Sequence, residues 1–286
     1  MMNKYLFGVI GYPAKHSKSP WIHTNFLEEA QLEGLYRAIE VKPDDLSEAI
    51  KGFKALEMDG FNVTVPFKEA ILPYLDEIDS YAAKIGAVNT VALENGKWKG
   101  YNTDGKGFVR SLREAYPSFD FPAGKALVIG AGGAAKGIYH ALLEEEMVQV
   151  DVTNRTTEKA MKIIGNHAHE GQTHVLSLQE AEEKISDYDV IVQTTSVGMV
   201  PNTKDQVLSL AGVSSHAIVC DIVYKPFHTS FLLEAEQRGA NVLHGHGMLL
   251  YQAALAFEIW TGKRVEATQL LKEFEQQVKD DEHANR

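Results

Sequence analysis

Lys125-Ala-Leu-Val-Ile-Gly130-Ala131-Gly132-Gly133-Ala134-Ala135 runs an apolar strand straight into a glycine turn. A helix-compatible run, Ala134 to Glu146, comes next, and then a second apolar run, Val148 to Val152, that ends at Asn154-Arg155-Thr156. Strand, GxGxxA turn, helix and strand in that order open a dinucleotide-binding fold. The glycines let backbone amides approach a pyrophosphate, and the N-terminus of the helix adds a favourable dipole. The turn follows residue 124, so a whole domain precedes it, and a substrate would bind there.

A glycine turn alone also fits an ordinary tight turn; its context makes it informative. About 20 residues beyond such a turn, an acidic side chain holds the ribose 2′-hydroxyl of NAD. This chain offers Asn154, Arg155 and Thr156 there. A guanidinium and a hydroxyl suit a 2′-phosphate, which a carboxylate would repel. Arg155 by itself would be a solvated loop cation; in this position it points to NADP.

The chain has 286 residues, enough for two domains. With 44% hydrophobic and 23% charged residues the composition is that of a globular protein. A net charge of −11 argues against nucleic acid or an anionic membrane as partner. The single cysteine, Cys220, sits in the apolar run Ala217 to Val223 and reads as a small buried hydrophobe. One cysteine allows no internal disulfide, so a cytoplasmic location is expected. With no 18-residue apolar span and no basic-then-apolar pattern among the first residues, neither a membrane span nor a secretory leader is expected.

Strand and helix patterns alternate throughout, which predicts an α/β fold of two domains. Strands are expected at Tyr5–Ile10, Leu35–Val41, Gly60–Val65, Val88–Leu93 and Trp98–Tyr101, separated by helices at Ser19–Gln31, Asp44–Glu57 and Phe67–Leu75. A second sheet is expected from Ala126–Ile129, Val148–Thr153, His174–Leu176, Val190–Gln193, Ile218–Val223 and Asn241–Leu243. Gly247 to Glu282 reads as two amphipathic helices broken near Gly262, with a frayed polar end from Lys279 to Arg286. The expected division is a substrate-binding domain over 1–104, completed by 246–286, and a Rossmann domain over 105–245.

Several segments of the first domain carry more polarity than a scaffold needs. Ser17-Lys18-Ser19-Pro20 lies between a strand and a helix, where hydroxyls and free amides can bind an anion; Ser19 as N-cap with Pro20 at N1 is the competing account. Asn62-Val-Thr64-Val-Pro66-Phe-Lys68 ends a strand and sets polar groups beyond it, although Thr64 could merely favour the strand and Lys68 be a surface cation. Asn89, in Gly86-Ala-Val-Asn-Thr90, is a carboxamide in an apolar strand and needs a partner. Asp104 falls at a strand end and could also be a turn residue or cap.

Taken in order, Ser17-Lys-Ser-Pro, Asn62 to Lys68, Gly86 to Thr90, Asn102-Thr-Asp-Gly105, the glycine turn with Asn154-Arg-Thr156, and Gly245-His-Gly-Met-Leu-Leu-Tyr-Gln252 resemble the shikimate dehydrogenase family from about residue 5 to residue 260. The resemblance implies NADP-dependent, reversible reduction of 3-dehydroshikimate to shikimate in aromatic amino acid biosynthesis. It implies a substrate domain built from both chain termini, with a cleft facing the nucleotide domain. It implies that Ser17 and Ser19 bind the substrate carboxylate, that Thr64, Asn89, Asp104 and Gln252 hold ring hydroxyls, and that Tyr224 makes a further contact. It makes Lys68 the catalytic lysine, paired with Asp104. On the nucleotide side it implicates Gly130, Ala131, Gly132, Gly133, Ala134, Asn154, Arg155, Thr156, Thr157, Glu158, Lys159, Ile222 and Gly245. The chain departs from the family pattern at Ser80, where an acidic residue is common, which puts a cofactor role for that position in doubt. It departs again at Ile222, where methionine is common.

The chemistry of these residues agrees with that reading. A cyclic polyol carboxylate needs an anion cradle and side chains matched to its hydroxyls, and unmatched buried polar groups discriminate strongly against wrong patterns. Hydride transfer changes the charge on the substrate oxygen, so a proton donor and acceptor must stand beside it. His244-Gly-His246 resembles a ligand pair, but no carboxylate or cysteine cluster accompanies it in sequence, so no metal is expected. Glu144-Glu145-Glu146 reads as a solvated helix face. The chain is expected to act as a monomer or a homodimer. Rival readings are a quinate/shikimate dehydrogenase with relaxed cofactor use and a non-catalytic NADP-binding regulator on the same fold; a methylene-tetrahydrofolate dehydrogenase fits the motifs poorly.

Overall fold

The computed structural model describes residues 4–165 and 173–284. The first elements are β1 (Tyr5–Gly11), α1 (Ser19–Glu29), β2 (Gly34–Glu40), α2 (Leu46–Ala55), β3 (Gly60–Val63), α3 (Phe67–Ala70), β4 (Glu77–Ile78), α4 (Ser80–Ile85), β5 (Thr90–Glu94) and β6 (Lys97–Tyr101). Then come α5 (Asp104–Ala115), β7 (Lys125–Ile129), α6 (Gly133–Glu144), β8 (Gln149–Thr153), α7 (Thr157–Ile164), β9 (Val175–Leu176), α8 (Leu178–Glu183) and β10 (Val190–Gln193). The last are β11 (Ile218–Asp221), α9 (Ser230–Gln237), β12 (Asn241–His244), α10 (Gly245–Thr261) and α11 (Ala267–Ala284). Two compact units result, one of Met1–Asp104 with Leu250–Gln269, the other of Gly105–Leu249 with Leu270–Arg286.

The first unit holds a six-stranded sheet in the order β2-β1-β3-β5-β6-β4. β1 pairs in parallel with β2 and β3, while β5 runs antiparallel to β3 and β6. One face packs Ile10, Phe61, Val63, Val91 and Trp98 with Ile50 and Phe53 of α2. Trp260, in α10, donates from its indole nitrogen to the Val91 carbonyl at 2.9 Å. Gly60 permits that seat: a Cβ there would lie 2.4 Å from the same nitrogen.

In the second unit six strands in the order β12-β11-β10-β7-β8-β9 are all parallel. Read from β9 this is 3-2-1-4-5-6, the doubly wound dinucleotide-binding arrangement, whose ligand crevice lies beyond the carboxyl ends of the two central strands. Both faces are covered, which is why its strands read as unbroken apolar runs. Ala126 and Val128 enter one core with α6, and Leu127 and Ile129 enter the other with Ala181 and Leu232. Each fully buried aliphatic side chain stabilises such a core by about 1.5–3 kcal/mol. Cys220 is buried in the first of these cores as expected, and burial pushes its thiol pKa up.

Some expectations shift. β3 stops at Val63, because the Thr64 amide donates to Ile10 and its carbonyl takes the Phe67 amide. The helix expected over Phe67–Leu75 is one short turn, α3, followed by a 3-10 turn at Leu72–Tyr74. The end expected to fray from Lys279 is helical to Ala284, with Asn285 and Arg286 outside the described residues. Lys279 pairs with Glu275 and lies over the Phe227 ring, which ties residues 270–286 to the second unit. Residues 246–249 cluster there too, although the sequence reading gives both stretches to the first domain. Within the acidic run, Glu145 is half-buried and ion-paired to Arg113.

Candidate active site

The first unit gathers most of the expected substrate residues at the ends of its strands. Lys68, in α3, places its ammonium nitrogen 2.6 Å from Oδ2 of Asp104. Both side chains are largely withdrawn from solvent, at 17% and 6% exposure. Charge-assisted bonds of this kind are short and directional, so each partner holds the other. Asp104 opens α5 but does not cap it with its carboxylate: its amide donates to Oδ1 of Asn102 at 3.1 Å, leaving the carboxylate for Lys68 and Asn89.

Asn89 is the hub. It precedes β5, yet its backbone joins both neighbours, accepting from Val63 and donating to Tyr101. Its amide nitrogen lies 2.9 Å from Thr103 Oγ1, 2.9 Å from Asp104 Oδ1 and 3.1 Å from Gln252 Oε1. Its carbonyl oxygen accepts from the Thr103 amide and the Thr90 hydroxyl, each at 2.9 Å. Two N–H groups facing three acceptors make a network that can re-pair when a ligand hydroxyl arrives. The need for a partner, legible in the sequence, is met here several times over. Gln252, in α10, is buried against the same hub.

The capping account of Ser19 is not what the fold adopts. Lys18 holds the N-cap position of α1 without a side-chain bond to the helix amides, and the Ser17 hydroxyl accepts from the Ser19 amide at 3.2 Å. Ser19 is buried with its hydroxyl directed to the phenol oxygen of Tyr36. Thr64 is half-buried, and its hydroxyl has no hydrogen-bond partner among the described residues. Tyr36, Asn62, Thr90 and Thr103 are polar members of this cluster to which the sequence reading gave no role. Tyr36 donates to Asn62 Oδ1 at 2.7 Å, and Asn62 donates to Asn89 O at 3.1 Å and to Thr90 Oγ1 at 3.2 Å. The signal for Tyr36 was weak: it is the one buried position of β2, in a strand whose pattern is otherwise exposed or intermediate.

In the second unit the glycine turn stands at the switch point between β7 and β10. Gly130 has φ +123°, and a Cβ there would sit 2.4 Å from Thr194 Oγ1. Gly132, N-cap of α6, has nothing within 4 Å of a hypothetical Cβ and offers no side-chain cap. Gly132 is exposed and Gly133 and Ala134, in the first turn of α6, are half-buried; the first amides of a helix have no intrahelical partner and suit a pyrophosphate. Ala131 is half-buried beside them.

Beyond β8, Asn154 donates to the Thr156 carbonyl at 2.8 Å, and Thr156 is the N-cap of α7 with no side-chain bond. Arg155 is exposed and pairs with no carboxylate among the described residues; Glu158 and Lys159 are exposed and Thr157 half-buried. The carboxylate of β8, Asp151, is buried inside the strand and bonded to Tyr188 and His174, so it is not available to a ribose. Ile222 and Gly245 come together with Phe108, Asp221, His244 and Met248. Gly245 permits this: a Cβ would lie 2.4 Å from the Ile222 carbonyl. The donor set fits NADP, with a glycine cradle for the pyrophosphate and, among the described residues, an unpaired guanidinium for a 2′-phosphate. Tyr224 lies in this unit, half-buried, and burial raises its phenol pKa. Ser80 is an exposed first residue of α4, beside Asp79, whose carboxylate caps the helix by accepting from Tyr81.

A Rossmann unit with a nucleotide cradle, joined in one chain to an α/β unit carrying a lysine–aspartate pair in a hydroxyl-matching cluster, defines a nicotinamide-nucleotide dehydrogenase of the two-domain α/β class. Residues 9–91 match the shikimate dehydrogenase substrate binding domain, 113–224 shikimate / quinate 5-dehydrogenase, and 245–272 the shikimate 5′-dehydrogenase C-terminal domain. Shikimate dehydrogenase (NADP(+)) of Bacillus licheniformis is 49% identical over 261 residues, 91% of this chain and 92% of that protein. The crystal structure of shikimate dehydrogenase from Aquifex aeolicus superposes with a TM-score of 0.85 at 41% identity, covering 96% of this chain and 99% of that one. The Thermus thermophilus shikimate 5-dehydrogenase, solved in complex with NADP(H) and shikimate, gives a TM-score of 0.85 at 35% identity over 96% and 99% of the two chains. The chain belongs to the shikimate dehydrogenase family.

Proposed function

We propose that this chain interconverts 3-dehydroshikimate and shikimate with NADP(H), the reductive step toward chorismate and the aromatic amino acids. The observation that carries the reading is the 2.6 Å contact of Lys68 with Asp104 inside a cluster of amide and hydroxyl side chains. Bound NADP supplies the hydride chemistry. Lys68 Nζ is the proton-transfer atom: its ammonium donates to the forming alkoxide in reduction, and its neutral amine accepts from the substrate hydroxyl in oxidation. Asp104 holds Lys68 with Oδ2, and its Oδ1, fixed by Asn89, accepts from a ring hydroxyl. Asn89, Gln252 and Thr64 take the other hydroxyls, and Ser17 and Ser19 take the carboxylate at the start of α1. Tyr224 makes the further substrate contact.

NADP is held by the glycine cradle over 130–134, by the segment 154–159 with Arg155 on the 2′-phosphate, and by Ile222 and Gly245. The enzyme works in the cytoplasm as a monomer or homodimer, without nucleic acid. No helix among the described residues is long and apolar enough to cross a membrane. A spectrophotometric panel tests the reading: shikimate or quinate, each with NADP⁺ or NAD⁺, followed by the absorbance of the reduced nicotinamide. Shikimate with NADP⁺ should give the highest kcat/KM. A preference for quinate or NAD⁺ would favour the quinate/shikimate alternative, and no turnover in any arm would favour the regulator.

A further inference from the structure

Three residues of the second unit, brought together from the turn before α9, from α9 itself and from the end of β12, have the makings of a metal site. His228 precedes α9, Glu236 lies in its last turn, and His244 ends β12. We propose that His228, Glu236 and His244 bind one divalent transition-metal ion of the zinc type.

The spacing is the first argument. Nε2 of His244 and Nδ1 of His228 are 3.3 Å apart. Two ligands at about 2.05 Å from a tetrahedral zinc are separated by about 3.3 Å, the edge of the tetrahedron. The rings cross at 88°, so each nitrogen lone pair can point to a common centre while the rings avoid each other. A ligand atom of Glu236 lies within 4.8 Å of both nitrogens. Its carboxylate is exposed and has no hydrogen bond or ion pair among the described residues, so a rotamer change closes the remaining gap.

Preorganisation and charge are the second. His244 stacks on Phe227 with ring centroids 4.2 Å apart and planes 15° from parallel, which fixes its ring. Lys279 lies over Phe227, and its charge is met by Glu275. Two imidazoles and a carboxylate are a borderline donor set, right for Zn²⁺ and wrong for Mg²⁺ or Ca²⁺, which seek oxygen. With three protein ligands, water completes the tetrahedron. In sequence no carboxylate accompanies His244-Gly-His246; the fold supplies one from α9 and replaces His246 with His228.

The test uses the full-length, tag-free protein stripped with EDTA and titrated with ZnCl₂ by calorimetry, with the thermal midpoint followed in parallel. One equivalent of zinc should bind with micromolar or tighter affinity and raise the midpoint, and Mg²⁺ should not compete. His228→Asn and Glu236→Gln should each weaken zinc by at least the roughly 10–100-fold that loss of an outer-shell partner costs, with metal-free folding unchanged. Two variants keep the test decisive if one fails to fold. Absence of saturable zinc binding in the micromolar range overturns the proposal, as does equal zinc affinity in the parent and both variants.

Discussion

Replacing Arg155 with aspartate tests the nucleotide side with little interference from the fold. Arg155 is exposed and has no ion pair among the described residues, so its removal takes nothing from the packing of β8 or α7. All of the effect should appear in binding. A hydrogen bond to a charged group is worth about 1.5–3 kcal/mol, and a carboxylate beside a phosphate adds repulsion. A loss of about 2–3 kcal/mol corresponds to a roughly 30–150-fold weaker NADP⁺ complex. NAD⁺ lacks the 2′-phosphate and should be weakened only slightly. Titration of both cofactors by fluorescence at one fixed ionic strength reads the difference, since exposed charges are screened by salt. Circular dichroism should show an unchanged thermal midpoint. Equal losses for NADP⁺ and NAD⁺ would refute the reasoning, because Arg155 would then support the loop without reading the phosphate.

The remaining outcomes are narrower. Replacing both Ser17 and Ser19 with alanine should raise the KM for shikimate and leave NADP⁺ binding nearly intact; an unchanged KM would remove the pair from the anion cradle. His23 is fully buried in the first unit, stacked 4.3 Å from Tyr36, with neither ring nitrogen at hydrogen-bonding geometry, although nearby Asn62 slightly favours protonation. Burial pushes its pKa from 6.5 to about 3, so its contribution to stability is present above pH 6.5 and lost as pH falls toward 3. Thermal midpoints measured from pH 7 down to pH 4 should therefore fall less steeply for His23→Leu than for the parent; parallel curves would contradict the assignment.

Much of this was legible because the signals were long or chemically specific. β10 lies where its run of apolar residues ends at Gln193, and the glycine turn predicts its own position at the switch point, since a φ of +123° at Gly130 needs glycine. The short elements escaped: β4 has two residues, α4 and α8 six each, and α7 and α9 eight each, too short for periodicity to register. At the candidate site, residues with an isolated polar group in an apolar setting, such as Asn89, announce a need that only the fold can meet. Tyr36 does not, because a tyrosine in a strand satisfies pattern and propensity alike; its bond to Asn62 depends on a neighbour 26 residues away. The His228–His244–Glu236 group was invisible for the same reason, as its members become neighbours only when β12 pairs with β11.

The claim at the centre is that Lys68 moves the proton. Lys68→Ala, assayed in steady state for shikimate oxidation with NADP⁺ at saturation, should lower kcat by about 10²–10⁴ while shifting the shikimate KM only a few-fold, as expected for an interaction strongest in the transition state. A near-normal kcat with a KM raised about a hundredfold, the pattern of lost uniform binding, would contradict it and make Lys68 a binding residue alone.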